Sequence, residues 1–115
     1  MNPKALKYVL DIESAISELE VIQSKVQNDF LNFEKDIIAV RATERDFEII
    51  GEALNNIKKI DSSVTIHHSK AIIGLRNLIA HAYDSVDNEI LWGILVNHIP
   101  QLKQELANLK ITLDQ

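Results

Sequence analysis

The chain has no cysteine, which excludes disulfides, thiolate metal sites and a cysteine nucleophile and fits a reducing compartment. Glycine and proline are scarce, three and two among 115 residues. No glycine-rich phosphate loop, flexible linker, internal repeat or low-complexity run is present. No segment reaches the roughly 18 consecutive apolar residues of a membrane span. The opening Met1-Asn2-Pro3-Lys4 also lacks the basic start and apolar run of a secretory leader. The expectation is a cytoplasmic protein with no membrane contact. Positive charge is in short supply as well: the formal net charge is −5, which argues against broad electrostatic capture of nucleic acid while leaving room for a small local site with a few placed cations.

What is present is helical period. A share of 46% hydrophobic residues in a chain of this length predicts one domain, residues 1–115, with a real core but helices only one layer from solvent. Val9, Ile12, Ile16, Leu19, Ile22, Val26, Phe30 and Phe33 follow at steps of three or four, one apolar stripe. This predicts a first helix from about Pro3 to Asn28, fraying toward Phe33. Phe47, Ile50, Leu54 and Ile57 mark a second, over about Glu34 to Ile60, before the turn-favouring Asp61-Ser62-Ser63. A third, about Ile66 to Ala82, is apolar around most of its circumference and is expected at the centre. Asp87 is a good N-cap for a fourth, with Glu89 in its first turn, running to about His98. Pro100 either kinks that helix or opens a fifth, whose stripe is Leu102, Leu106, Leu109 and Leu113. The fold class is all-α, a bundle of four or five helices.

The polar residues of the third helix carry the chemistry. Lys70, Gly74, Asn77 and His81 recur at spacings of four, three and four and form one narrow stripe. Gly74 leaves space for another backbone or a substrate to approach. Arg76 flanks the stripe, about 140° around an ideal helix from His81, and converges on it only through its own reach or a distorted helix end. Histidine exchanges protons near neutrality and arginine presents a fork of donors to phosphate oxygens, so the two suit phosphoryl chemistry. From spacing alone a plainer reading stands beside this one, in which Arg76 pairs with an acidic neighbour, Asn77 bridges backbone and His81 caps a helix end.

The run Arg76-Asn77-Leu78-Ile79-Ala80-His81-Ala82-Tyr83 matches the form R-N-x-x-x-H-x-Y and resembles the signature of HEPN domains, in particular the HepT-like toxin branch found beside a minimal nucleotidyltransferase. Arg41-Ala42 through Ile49-Ile50-Gly51-Glu52-Ala53 is similar to that branch's second-helix motif. Trp92 and Ile99-Pro100-Gln101-Leu102 follow its C-terminal half. His68-Ser69 stand where the branch often has proline and tryptophan, and Ala82 where it often has glycine or a polar residue. The resemblance implies a HEPN-like two-fold homodimer that cuts RNA at a cleft between two copies of the motif, with no metal or other cofactor. It implies Arg76, His81 and Asn77 as catalytic residues, with Glu52, Gly74 and Lys70 supporting the cleft. It further implies a type VII-like toxin–antitoxin pair, in which a cognate nucleotidyltransferase antitoxin transfers AMP to Tyr83. The alternative is a non-catalytic helical subunit that docks the nucleotidyltransferase and merely retains the motif.

Other groups read more simply. The adjacent His67-His68 diverge by about 100° on a helix and lack the i, i+4 partner of helical zinc sites. No glutamate precedes a histidine by three positions, which removes the ligand motif of di-iron bundles. Glu52 taken alone reads as a solvated helix residue. Trp92 reads as core or dimer interface, and Lys58-Lys59 as a solvated helix end.

Overall fold

The computed structural model describes residues 3–62 and 87–113, with side chains to residue 111. Among the described residues there are five helices and no strand: α1 (Pro3–Lys25), α2 (Phe30–Lys35), α3 (Ile37–Ile60), α4 (Asn88–Asn97) and α5 (Ile99–Leu113). The protein is an all-α bundle, as the helical period predicts. The expected helix over about Ile66 to Ala82 lies outside the described residues.

The first two helices differ from the sequence expectation at their junction. The apolar steps continue through Val26, Phe30 and Phe33, yet α1 stops at Lys25. Gln27 and Asn28 take the left-handed conformation, with φ of 58° and 52°. Asn28 N–H then donates to the Gln23 carbonyl at 2.9 Å and Gln27 N–H to the Ser24 carbonyl at 3.0 Å, the paired bonds that close a helix C-terminus. The Gln23 amide supports the turn by donating to Asn28 Oδ1 at 2.7 Å.

Phe30–Lys35 is therefore a separate helix rather than the tail of α1 or the start of the next. Two aspartates punctuate it. Asp29 Oδ1 accepts from Leu31 N at 3.1 Å and Asp36 Oδ1 accepts from Ala39 N at 3.1 Å, so each satisfies an orphan donor of a new helix. The other Asp36 oxygen lies 3.3 Å from Lys25 Nζ, which ties the end of α1 to the beginning of α3. Asp87 caps α4 as expected, accepting from Glu89 N at 2.8 Å. A single turn residue, His98, separates α4 from α5, and Pro100 falls in the first turn of α5, where its missing donor has no helical partner to lose.

Among the described residues, α1 and α3 make the most extensive helix pair. Ile12, Ile16 and Leu19 from α1 and Phe47, Ile50 and Ile57 from α3 are fully buried, joined by Leu91 and Leu95 of α4 and Leu102 and Leu106 of α5. Phe33 fastens α2 to this core: it is fully buried and its ring centroid sits 5.1 Å from that of Trp92, with Phe30 at 6.4 Å on the same indole. Both are tilted contacts of the kind aromatic pairs prefer. Trp92 is thus core-packed. α5 returns along α1. Lys103 pairs with Glu20 at 2.8 Å and Lys110 with Glu13 at 3.2 Å. Equal steps of seven residues in opposite chain directions make the two helices antiparallel.

Candidate active site

Of the residues singled out from sequence, Lys70, Gly74, Arg76, Asn77, His81 and Tyr83 lie outside the described residues, as do His67 and His68. Glu52 lies within them. It belongs to α3, whose apolar stripe is turned to α1 and the core, and that commitment fixes which residues remain at the surface. Ile49, Glu52, Ala53 and Asn56 occupy positions i, i+3, i+4 and i+7, one face of the helix. Together with Tyr8 and Asp11 of α1 they line an open recess of about 260 Å³.

The recess is acidic. Glu52 is exposed, and none of the ion pairs among the described residues includes it. Asp11 is held by Lys7 at 3.3 Å, and the same ammonium lies 5.3 Å from the centroid of the Tyr8 ring. The two carboxylates repel a phosphate, so the recess suits a cationic side chain or a hydroxyl donor better than an anion. Glu52 can therefore support a cleft by orienting a cation, not by touching a scissile phosphate.

The cations of this surface sit elsewhere on α3. Arg41 and Arg45 are exposed. Burial pushes the neighbouring Glu44 carboxyl above its ordinary value, with Arg41 pulling it back and Glu48 adding to the rise. Lys58 and Lys59 are exposed in the last turn of α3, a solvated helix end as expected, where positive charge complements the helix dipole.

Sequence reasoning passed over one residue. Asp46 is only 2% exposed and its Oδ2 is buried with no hydrogen-bond partner. Burial first, and then the hydrogen bond and charge of Glu18 on α1, push its carboxyl up to about 7, with Arg45 acting in the opposite direction. The signal was present in the chain: Thr43, Asp46, Ile50, Ala53 and Ile57 step at three or four, so Asp46 occupies a stripe position otherwise reserved for side chains that turn inward. Thr43, also buried, satisfies itself by donating to the Ala39 carbonyl at 2.8 Å.

Among the described residues no helix is long and apolar enough to cross a membrane, and no three histidine, aspartate or glutamate side chains lie together as metal ligands would.

The chain matches the family described as "Ribonuclease HepT-like" over residues 12–109. It is 32% identical over 103 residues to a protein of Caldanaerobacter subterraneus named "Putative RNase TTE0752", covering 85% of this chain and 89% of the relative. It is 33% identical over 107 residues to "Putative RNase MJ1380" of Methanocaldococcus jannaschii, covering 90% and 92% of the two chains. A third relative, "Probable ribonuclease HepT" of Thermococcus cleftensis, is 32% identical over 108 residues, covering 90% and 93%. No solved structure matches the chain.

Proposed function

The chain belongs to the HepT-like ribonuclease family, and from that membership we propose that it is a metal-independent endoribonuclease acting as the toxin of a toxin–antitoxin pair. The observation that carries the proposal is the run from Arg76 to Tyr83, which falls inside the matched span of 12–109 and supplies the groups that RNA cleavage by an internal nucleophile requires.

The chemistry follows from those side chains. Neutral His81 takes the proton from a ribose 2′-hydroxyl, and the oxygen attacks the adjacent phosphorus. The phosphorane that forms is more negative than the diester, and the guanidinium of Arg76 stabilises it with donors matched to its oxygens. The bond to the 5′-oxygen then breaks and leaves a 2′,3′-cyclic phosphate. Asn77, one turn before His81, orients the imidazole or the phosphate. A leaving oxygen needs a proton, and the partner subunit's His81 supplies it in a two-fold dimer. Gly74 and Lys70, on the same stripe, leave room for and attract the RNA backbone, and Glu52 positions a cation at the edge of the cleft. Everything this reaction uses is a side chain, so no cofactor enters.

Tyr83, two residues beyond His81, is the proposed point of control. AMP transferred to its hydroxyl by a cognate minimal nucleotidyltransferase places phosphate beside Arg76, neutralising that cation and filling the space of the substrate phosphate. Cytoplasmic location follows from the RNA substrate.

The test is expression in a bacterial host, followed by incubation of the purified protein with single-stranded RNA in excess chelator. Growth arrest and cyclic phosphate ends are expected. His81→Ala or Arg76→Ala should restore growth and slow cleavage by roughly a hundredfold or more, the scale of losing an acid–base or electrostatic group. Cleavage unaffected by both changes would overturn the assignment. Absence of arrest and of cleavage, with the nucleotidyltransferase still bound, would instead identify a non-catalytic docking subunit.

A further inference from the structure

Asp46 is an anomaly that the proposed RNA chemistry does not use. A carboxylate removed from water is stable only when paired or generously hydrogen-bonded. Asp46 has neither support: none of the ion pairs among the described residues includes it, and its Oδ2 is buried without a partner. The group beside it from the facing helix is Glu18 of α1, another carboxyl, and the charged neighbour on its own helix is the exposed Arg45. Two carboxylates cannot satisfy each other, since both only accept. One carboxylic acid and one carboxylate can, through an O–H···O⁻ bond of the short, strong kind.

Position decides which of the two keeps the proton. Glu18 is exposed, so water solvates its charge. Asp46 is almost wholly buried, where the charged form is the costly one. We propose that Asp46 stays a neutral acid in the folded chain and donates its proton to a hydrogen bond with Glu18, forming a proton-dependent clasp between α1 and α3. When the proton leaves to water, two like charges face each other across the seam between α1 and α3, and that seam loosens.

The direction of the pH dependence is set by the two protonation states. In the unfolded chain Asp46 titrates near its ordinary 3.8 and in the folded chain near 7, so between these values the folded state binds more protons. Stability contributed by the clasp is complete below about pH 4, declines as pH rises toward 7, and is gone above it.

The experiment follows the Asp46 side-chain carboxyl carbon by NMR in the full chain as pH is raised, with urea unfolding midpoints measured on the same samples. The carbon signal reports the Asp46 carboxyl itself rather than any other titrating group. A midpoint near neutrality supports the clasp, and one in the ordinary carboxylate range overturns it. Asp46→Asn keeps the shape and a donor for Glu18 while removing the titration, so its unfolding midpoint should lose the decline expected of the wild type between about pH 4 and 7. Retention of the full slope in this variant would also overturn the proposal. Should Asp46→Asn fail to fold, Glu18→Gln serves in its place: with the neighbouring charge gone, the Asp46 midpoint should move down. An unmoved midpoint would mean that Glu18 has no part in the clasp.

Discussion

Lys103 Nζ on α5 lies 2.8 Å from Glu20 Oε2 on α1, at the lip of a groove whose floor includes Leu19, Leu95 and Ile99. Both side chains are about half exposed or more, 57% and 50%. Water therefore competes for each, and holding two long side chains in one geometry costs entropy. A double-mutant cycle with Lys103→Ala and Glu20→Ala should give a coupling of about 0.2–1 kcal/mol, shrinking as salt is added. A coupling several times larger would mean that the pair is far less solvated than its exposure indicates.

The buried aromatic of α2 should matter more. Phe33 is fully enclosed and meets Trp92 at 5.1 Å, and it is the one buried residue of its six-residue helix. Phe33→Ala removes the main anchor that α2 has in the core, leaving only the half-buried Phe30, so a loss of about 3–5 kcal/mol is expected from chemical denaturation. Trp92 fluorescence should change in the native baseline as well, because the ring it packs against is gone.

Gly93 points the other way. It lies within α4 with no positive φ, and a Cβ added there would meet nothing within 4 Å. Nothing in the packing requires the missing side chain. Gly93→Ala should stabilise the protein by about 0.5–1 kcal/mol through reduced freedom of the unfolded chain and better helix propensity. A destabilised variant would show that a partner molecule occupies that space.

Asp36 should shape the acid limb of the stability profile. The Ala39 amide chiefly, opposed by some desolvation and aided by Lys25 and the Ile38 amide, holds its carboxyl below the ordinary 3.8. A lowered carboxyl favours the folded state when charged, so its contribution is present above about pH 4 and is lost as pH falls through the lower folded value. Unfolding midpoints measured downward from about pH 5 should fall less steeply in Asp36→Asn than in wild type. Equal slopes would remove Asp36 from the acid response.

These residues also show how far the sequence could be read. The Asp87 cap was legible, and so was Pro100 as the place where one helix kinks or another opens, because each acts on its nearest neighbours and short-range chemistry is written in short-range sequence. The break after Lys25 was hidden because Val26, Phe30 and Phe33 keep their apolar spacing straight through it. The same side chains are buried by a helix, a left-handed turn and a second helix. Asp29 and Asp36 were the available clues, each an aspartate just ahead of an apolar run. The catalytic candidates rest on a family pattern of residue types, and they lie outside the described residues. Asp46 escaped for the opposite reason: its meaning depends on Glu18, 28 positions earlier in the numbering, and only helix packing brings the two together.

The pairing of α1 with α5 sets an order of events at synthesis. Glu13 and Lys110 stand 97 positions apart, so the ribosome delivers α1 long before the helix that covers it. α1 can dock with α3 early, but the side carrying Ile16 and Leu19 stays open until Ile99 and Lys103, which line the same groove, emerge. A nascent chain halted within α5 would present that uncovered strip to chaperones and proteases rather than a finished surface. Translation of α5 is thus the step that closes this side of α1, and a premature stop there should yield material that is degraded rather than a shortened folded protein.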